Sequence, residues 1–267
     1  KLGDSVKMNR KLIALDIDGT ILDKNLQVLP STRMAIESLR AQGHYVTLAT
    51  GRSRVLAKPV IDALDFENYI LCNGAAAFKD NKQIHKQLLP MDSLKALKEE
   101  VVSLGIDVAL VGLDETKRIT SLDLPKMTDA MESFGSTLPN LDPQFAKEED
   151  VYAGLAFYSA KHEGRFDEKY QDLRFVRWHP NCVDVLTQGI SKAATILQVA
   201  NDLDIQQEDI ICFGDGMNDR EMLSMAGVGV AMGNANAEVQ KHADLVTQDH
   251  NSDGIYHALN KLGLITA

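Results

Sequence analysis

The stretch that decides the fold is Lys11–Thr20, which reads KLIALDIDGT. A short apolar run, Leu12–Leu15, ends abruptly in the aspartates Asp16 and Asp18, and a glycine and a threonine follow. Such a run is typical of a buried strand, and in an open parallel sheet the ligand sites lie beyond the carboxyl ends of the strands. Two neighbouring carboxylates repel each other unless a cation or a catalytic task retains them. The stretch therefore indicates a functional site at the end of a strand.

Taken alone, this motif leaves other interpretations open. An Asx-Gly turn after a strand is common, although it needs only one aspartate. A calcium loop of the EF-hand kind has its glycine at the sixth position, whereas Gly19 is the fourth residue counted from Asp16. A sugar-nucleotide transferase can also hold a metal with an Asp-x-Asp pair. A phosphoryl-transfer site is the fourth interpretation. The motif alone does not decide among the four, because a short motif is easily matched by chance.

Four further apolar runs end in polar residues, and helical patterns lie between most of the runs. The runs are Tyr45–Ala49 before Thr50–Arg52, Tyr69–Cys72 before Asn73-Gly74, Asp209–Phe213 before Gly214–Asp219, and Val228–Met232 before Gly233-Asn234. Strands that alternate with helices form a parallel sheet with right-handed crossovers. The sequence therefore predicts an α/β fold with a doubly wound, Rossmann-like parallel sheet, whose strand ends meet at one edge.

The predicted edge brings together four aspartates: Asp16, Asp18, Asp215 and Asp219. Their charges would repel one another and also any phosphate group. A hard divalent cation resolves this conflict, and all-oxygen ligands suit Mg²⁺, which is held by a few carboxylates and the phosphate of the substrate. Groups that could neutralise or bind phosphate oxygens are the Thr50 hydroxyl, the Gly51 amide and the Lys192 ammonium.

With these residues, the chain resembles the haloacid dehalogenase superfamily of phosphohydrolases. Four motifs occur in the order of that family: Asp16–Thr20, Thr50–Arg52, Lys192 and Gly214–Asp219. The long segment between the second and third motifs resembles the cap of the Cof-type subfamily, also called type IIB. The resemblance covers nearly the whole chain. One departure is Ala193, because many relatives have glycine after the lysine of the third motif.

The resemblance implies a role for each matching residue. Asp16 corresponds to the nucleophile that forms an aspartyl-phosphate, and Asp18 corresponds to the general acid and base. The Mg²⁺ ligands correspond to the Asp16 carboxylate, the Asp18 backbone carbonyl and Asp215, while Asp219 orients these ligands or binds the metal directly. The groups that hold the phosphoryl oxygens correspond to the Ile17 amide, Thr50, Gly51, Lys192 and Asn218.

Three residues outside these roles are candidate substrate contacts. Trp178 and His179 lie late in the cap segment, in a region that faces the active site in the resembling enzymes, and a packed edge turn is the alternative. Asn73 ends a strand at the active edge, where it either organises the loop or contacts the substrate. Arg52 and Arg54 could contact a second anionic group, but we expect them to be solvated, as exposed arginines on a loop-to-helix stretch usually are.

The predicted organisation is a core that an inserted domain interrupts. The core comprises residues 8–82 and 188–267, and a smaller α+β cap domain comprises residues 83–187. Residues 1–7 precede a methionine and read as the remnant of an expression tag.

The charge and the cysteine content of the chain limit the binding partners and the cellular location that we expect. The 267 residues carry 28 basic and 38 acidic side chains, a formal net charge of −10, which argues against nucleic acid and against an anionic membrane surface. The 3 cysteines are widely spaced, and two lie in apolar runs, so we expect buried, reduced thiols and a cytoplasmic location. We find no run of membrane-spanning length and no secretory signal. We expect a monomer or a small homo-oligomer.

These observations predict a Mg²⁺-dependent phosphatase that hydrolyses a small phosphorylated metabolite, such as a sugar phosphate or pyridoxal phosphate, through an aspartyl-phosphate. A phosphomutase of the same superfamily is one alternative. A non-enzymatic, phosphate-binding module of the receiver kind is another. Asp18 argues against the receiver module, because a stable aspartyl-phosphate needs no acid or base beside it.

Overall fold

The computed structural model describes residues 9–266. The stretch 1–7, predicted to be a tag remnant, lies outside these residues. In chain order the strands are β1 (Leu12–Leu15), β2 (Tyr45–Ala49), β3 (Tyr69–Leu71), β4 (Ala76–Lys79), β5 (Lys82–Lys86), β6 (Asp107–Val111), β7 (Thr116–Arg118), β8 (Asn140–Leu141), β9 (Ala153–Phe157), β10 (Leu173–His179), β11 (Cys182–Thr187), β12 (Ile210–Gly214), β13 (Val228–Ala231) and β14 (Leu245–Val246).

The α-helices lie between and after these strands. They are α1 (Pro30–Ala41), α2 (Arg54–Ala63), α3 (Met91–Ser103), α4 (Leu124–Glu132), α5 (Phe145–Glu148), α6 (Lys192–Asp202), α7 (Arg220–Met225), α8 (Ala237–Gln240) and α9 (Gly254–Lys261). Among the described residues, no helix has both the length and the apolar character needed to cross a membrane.

The larger sheet has eight strands in the order β14-β13-β12-β1-β2-β3-β4-β5. Pairing is parallel from β14 to β3 and antiparallel from β3 to β5. Alternate side chains of β1 point to opposite faces of the sheet. Leu12 and Ala14 pack with α6 and α7, whereas Ile13 and Leu15 pack with α1 and α9. Helices therefore cover both faces, which explains the continuous apolar runs. The predicted doubly wound α/β core is confirmed.

The predicted boundary at residue 82 is wrong, because β5 continues the larger sheet beyond it. Lys79 pairs with Lys82, so Asp80 and Asn81 form a two-residue hairpin turn, with φ angles of 51° and 61°. Aspartate and asparagine tolerate this left-handed backbone, and such turns join antiparallel strands tightly. The sequence does not predict β5, because this strand is polar throughout except for Ile84, which is itself exposed.

The smaller sheet has six strands in the order β10-β11-β9-β6-β7-β8, and pairing is antiparallel except between β7 and β8. We call this sheet with α3, α4 and α5 the cap. Leu94, Leu97 and Val101 of α3 pack on one face of the sheet. The opposite face, which includes Val111 and Leu155, packs with α4 and is continuous with the core cluster. The insertion therefore forms an α+β lobe that lies over the larger sheet.

Candidate active site

A cavity of about 280 Å³ lies between the carboxyl edge of the larger sheet and the cap. Its floor comes from the core and includes Asp16, Asp18, Thr50, Gly51, Arg52, Asp215 and Asn218. Its roof comes from the cap and is mostly apolar, with Val111, Met131, Phe134, Ala153, Leu155 and Trp178 beside Asp184. The volume lies near the lower limit for small-molecule sites. The cavity therefore joins the residues of three sequence motifs to a cap wall.

The turn after β1 brings the first and fourth motifs into contact. Gly19 has a φ of 72°, and a Cβ there would lie 2.1 Å from Oδ2 of Asp215, so a side chain is excluded both by the backbone and by the close approach. Thr20 Oγ1 donates a hydrogen bond to Asp215 Oδ1 at 2.9 Å, and the Asp16 amide donates to the Phe213 carbonyl. These contacts hold the two strand ends of β1 and β12 in register.

Lys192, the first residue of α6, lies beneath the floor of the cavity. It is 1% exposed, and its Nζ lies 3.1 Å from Asp16 Oδ1 and 2.7 Å from Asp219 Oδ1. Burial lowers the pKa of Lys192, but the charges of Asp16 and Asp219 outweigh burial and raise it overall. The lysine therefore remains charged, and it links the first, third and fourth motifs.

Asp219 is fully buried, and protein donors engage both of its oxygens. Oδ2 accepts hydrogen bonds from the backbone amides of Asp215 and Gly216, each at 2.9 Å, and Oδ1 accepts from Lys192. These bonds favour a role in orienting Asp215 and Lys192 over direct binding of a metal. The sequence had left both roles open.

The carboxylates of Asp16, Asp215 and Asp219 form a cluster of negative charge. One oxygen from each lies within 4.8 Å of the others. Burial, reinforced by the charge of Asp219, raises the pKa of Asp215 to about 7 against the hydrogen bond from Thr20. Burial and the same neighbour also raise the pKa of Asp16 against the attraction of Lys192. One lysine does not balance three carboxylates, of which Asp16 and Asp219 are buried and Asp215 is partly buried, and an all-oxygen donor set suits Mg²⁺.

Arg52 is not solvated, and the expectation from the sequence is wrong. Its side chain is 12% exposed, and its Nε and Nη2 donate to the two oxygens of Asp18 at 2.7 and 2.5 Å. Nη1 also donates to the Leu56 carbonyl at 2.8 Å, which anchors the guanidinium on α2. The loop after β2 turns Arg52 back over the strand ends, which sequence spacing does not reveal. Arg54 is more exposed and pairs with Asp114 of the cap.

The predicted phosphate-binding residues surround the same floor. Thr50 is buried and its Oγ1 accepts a hydrogen bond from the Arg52 amide, which leaves the hydroxyl hydrogen for another acceptor. Gly51 and Asn218 line the cavity. The side chain of Ile17 is fully buried, so only its backbone amide is available to a ligand.

The three candidate substrate contacts differ in placement. Trp178 lines the cavity and packs edge-on against Phe134, with ring centroids 5.2 Å apart. His179 lies outside the cavity, where Nδ1 accepts from the Asn181 amide and Nε2 is 3.6 Å from Asp129. The pairing register of β10 shifts between Arg177 and His179, so simple strand alternation does not apply here, and the two rings are neighbours with centroids 5.8 Å apart although only Trp178 lines the cavity.

Asn73 lies beside the cavity and not in it. It is 2% exposed, its Oδ1 accepts from Asn218 Nδ2, and its Nδ2 donates to Asp184 Oδ2, each at 2.9 Å. We therefore assign Asn73 no direct contact with a substrate. Sequence reasoning overlooked Asp184, although a signal existed: it is the one carboxylate inside the run Cys182–Thr187.

We predict that Lys192→Met destabilises the metal-free protein by roughly 3–5 kcal/mol, because Asp16 and Asp219 would be left buried without a cation. Urea unfolding in the presence of a chelator measures this change. The matched control is Lys58→Met, which removes an exposed i,i+4 partner of Asp62 and is expected to cost less than about 1 kcal/mol. Equal effects of the two substitutions would contradict the prediction.

Comparison with known proteins identifies the family. The family model described as haloacid dehalogenase-like hydrolase matches residues 13–259. YkrA of Bacillus subtilis (strain 168) is 35% identical over 258 residues, which cover 97% of this chain and 100% of YkrA. The pyridoxal phosphate phosphatase YbhA of Escherichia coli (strain K12) is 29% identical over 93% of this chain and 97% of its own.

A solved structure gives the same result for the fold. The sugar phosphatase BT4131, described as a member of subclass IIB of the superfamily, superimposes with a TM-score of 0.85 at 28% identity, over 96% of this chain and 100% of its own. These matches confirm the resemblance found in the four motifs, and the chain belongs to the haloacid dehalogenase-like hydrolase family, as a phosphatase with an inserted cap.

Proposed function

We propose that this protein is a Mg²⁺-dependent phosphatase that hydrolyses a small phosphorylated metabolite through an aspartyl-phosphate on Asp16. The observation that carries the proposal is the convergence of Asp16, Asp18, Lys192 and Asp215 at the floor of one cavity. Phosphoryl transfer depends mainly on positioning and on neutralisation of charge, and this arrangement supplies both.

Asp16 is the proposed nucleophile. Lys192 holds its Oδ1, which leaves Oδ2 to attack phosphorus. The new oxygen–phosphorus bond forms as the bond to the leaving oxygen breaks, and Asp18 donates its proton to that oxygen. Asp18 then takes a proton from water, which attacks phosphorus, releases inorganic phosphate and restores Asp16.

Mg²⁺, when bound, would neutralise the negative charges of the phosphoryl group and the nucleophile. The residues proposed to hold it are Asp16 and Asp215 through their carboxylates and Asp18 through its backbone carbonyl. Asp219 acts through its hydrogen bonds to the amides of Asp215 and Gly216, which fix the loop after β12.

Arg52 is a positioning residue for Asp18. Its two hydrogen bonds keep the carboxyl group of Asp18 at the cavity wall, and its own anchor on the Leu56 carbonyl prevents the pair from rotating away. The pairing favours the ionised form of Asp18, which takes the proton from water, and one of the two hydrogen bonds has to open before Asp18 donates a proton to the leaving oxygen.

The cap supports a small substrate. The cavity of about 280 Å³ accommodates a compact leaving group, and the apolar roof excludes bulk water from the reaction. Because relatives are named for pyridoxal phosphate and for a sugar, we propose a substrate of that size. The roof and Asp18 both disfavour a receiver-like module, which needs neither. We propose that the cap, inserted between β5 and α6, moves as a lobe during substrate entry.

We also propose a cytoplasmic location and no nucleic-acid partner. Cys72, Cys182 and Cys212 are buried and unpaired, as expected in a reducing compartment. The acidic net charge of −10 disfavours a polyanion.

The division of roles between the two aspartates is testable. We expect Asp16→Asn to abolish phosphate release, because the attacking oxygen is lost while the shape is kept. We expect Asp18→Asn to lower kcat by roughly two to four orders of magnitude, the usual range for general acid–base catalysis, and to retain Mg²⁺ binding. Steady-state kinetics and calorimetric titration with Mg²⁺ provide the measurements. Substantial turnover by Asp16→Asn would refute its assignment.

We predict that a chelator stops hydrolysis and that Mg²⁺ restores it. Ca²⁺ should restore it poorly, because its longer bonds and higher coordination number displace the nucleophile from the phosphate. Asp215→Ala should raise the Mg²⁺ concentration needed for half-maximal activity, whereas the control Asp62→Ala, at an exposed position of α2, should leave it unchanged. Full activity in excess chelator would overturn the proposal.

Trp178 and His179 are adjacent in the chain, but we expect only Trp178 to affect substrate binding. Trp178→Ala should raise KM for a metabolite phosphate with a smaller change in KM for phenyl phosphate, because the indole contacts the non-reacting part of the substrate. His179→Ala should match the wild type, since the ring lies outside the cavity. An unchanged KM in Trp178→Ala would exclude the indole from substrate binding.

A further inference from the structure

The cap contributes one charged side chain to the cavity within residues 9–266, and that side chain is Asp184 of β11. Its neighbours Val183 and Val185 pack into the apolar cluster on the opposite face of the sheet. Strand alternation therefore directs Asp184 to the core side, among the apolar side chains of the roof. A carboxylate at such a place costs solvation free energy, which a hydrogen-bonding partner must offset.

A short chain of hydrogen bonds fixes the orientation of Asp184. Asn218 Nδ2 donates to Asn73 Oδ1, and Asn73 Nδ2 donates to Asp184 Oδ2, each at 2.9 Å. Because Asn73 uses its oxygen on Asn218, it can present only its amide hydrogens to the cap. The chain thus connects the roof to a predicted phosphate-binding residue, and it places Asp184 close to the reacting end of the cavity.

The remaining oxygen of Asp184 lacks a good donor among the described residues. The indole of Trp178 faces the carboxyl group and lowers its pKa, yet Nε1 makes no hydrogen bond of good geometry. Burial is the stronger influence and raises the pKa of Asp184 to about 7. The carboxyl group consequently has capacity for one more donor, and the cavity is the space from which that donor can come.

The charges around the cavity restrict what the donor can be. In the described part of the chain, the cap lines the cavity with no basic side chain, and the basic residue on the floor, Arg52, is paired with Asp18. Lys192 lies beneath the floor between Asp16 and Asp219. A carboxylate or a second phosphate on the leaving group would thus meet Asp184 without a neutralising partner, whereas a hydroxyl or an ammonium group would satisfy it.

We propose that Asp184 is a specificity-determining residue: it accepts a hydrogen bond from a hydroxyl or ammonium group of the leaving group and rejects leaving groups that carry a second anion at that position. This inference rests on the proposed phosphatase function. It narrows the substrate class to phosphate monoesters of neutral or cationic, donor-bearing metabolites, such as phosphorylated polyols.

The test uses substrates that differ in one terminal group. Glycerol 3-phosphate and 3-phosphoglycerate form one pair, and sorbitol 6-phosphate and 6-phosphogluconate form a longer, open-chain pair. In each pair a terminal hydroxymethyl group is replaced by a carboxylate. We expect the wild type to prefer the hydroxyl ester by about 10- to 100-fold in kcat/KM in at least one pair, because a buried polar group discriminates strongly against a mismatched partner.

Asp184→Asn is the informative variant, because Asn73 determines how the new amide must lie. The Asn73 amide needs an acceptor, so the new side chain turns its oxygen toward Asn73 and its NH₂ group toward the cavity. The variant thus offers a donor where the wild type offers an acceptor. We expect the preference to fall at least about tenfold and to shift toward the carboxylate ester. The control Glu163→Gln neutralises an exposed cap carboxylate that pairs with Arg177, and it should preserve the wild-type preference.

Phenyl phosphate distinguishes a failure of the proposed phosphatase function from a failure of the role assigned to Asp184. It has neither a donor nor a second anion, so Asp184→Asn should lose less kcat/KM on phenyl phosphate than on the hydroxyl esters, whereas Glu163→Gln should leave hydrolysis of phenyl phosphate unchanged. If the wild type hydrolyses none of the five esters with Mg²⁺, the proposed function fails. If it hydrolyses phenyl phosphate but shows no preference within either pair, or if Asp184→Asn keeps the preference, the assignment of Asp184 is overturned and the phosphatase stands.

Discussion

The buried ion pairs of Lys192 with Asp16 and Asp219 are the constraint on which the site depends. The ammonium group lies at the start of α6, the two carboxylates follow β1 and β12, and all three side chains are nearly or fully buried. A charge placed so deeply is tolerable only with partners, so the position of α6 against the two strands is fixed by electrostatics as well as by apolar packing. The same contact turns one oxygen of Asp16 toward the lysine and leaves the other for chemistry.

A single lysine leaves the carboxylates at the strand ends incompletely neutralised, and this imbalance underlies the proposed mechanism. Burial and the charge of Asp219 raise the pKa of both Asp16 and Asp215, as expected for carboxylates that lie close together with one lysine as counter-charge. A divalent ion and the phosphate of a substrate would complete the charge balance together. In the proposed mechanism, metal affinity and substrate binding would therefore depend on each other, as expected where charge neutralisation provides most of the catalysis.

In the proposed mechanism, the core carries out the chemistry and the cap recognises the leaving group. The core supplies every residue proposed to touch the phosphoryl group, while the cap closes the cavity with apolar side chains and with Asp184. One fold serves many substrates in this way, because the cap wall can change without disturbing the strand ends. The hydrogen-bond chain from Asp184 through Asn73 to Asn218 joins the two lobes, so that recognition of a leaving group is coupled to the orientation of a proposed phosphate ligand.

The amino-acid sequence by itself determined the strand–helix alternation, the doubly wound core and the grouping of the four motifs. Apolar runs that end in Asp16, Thr50 and Asp215 are local patterns, and the edge geometry of a parallel sheet brings their ends together without further information. Tertiary structure alone decided the rest. The exposed, polar strand β5 has no apolar pattern from which it could be predicted. Its place in the larger sheet follows from the turn at Asp80 and Asn81.

The sequence likewise does not show which side chains form hydrogen bonds and ion pairs with each other. Arg52 and Asp18 are 34 residues apart, and Asn73 and Asp184 are 111 apart, so only the folded chain shows that they pair. The different placement of Trp178 and His179 depends on the irregular pairing of β10 between Arg177 and His179, which no periodicity in the sequence reveals. Local periodicity therefore determined which elements form and where their ends meet, whereas long-range packing decided which charges are paired, which side chains reach the cavity and what the cavity can recognise.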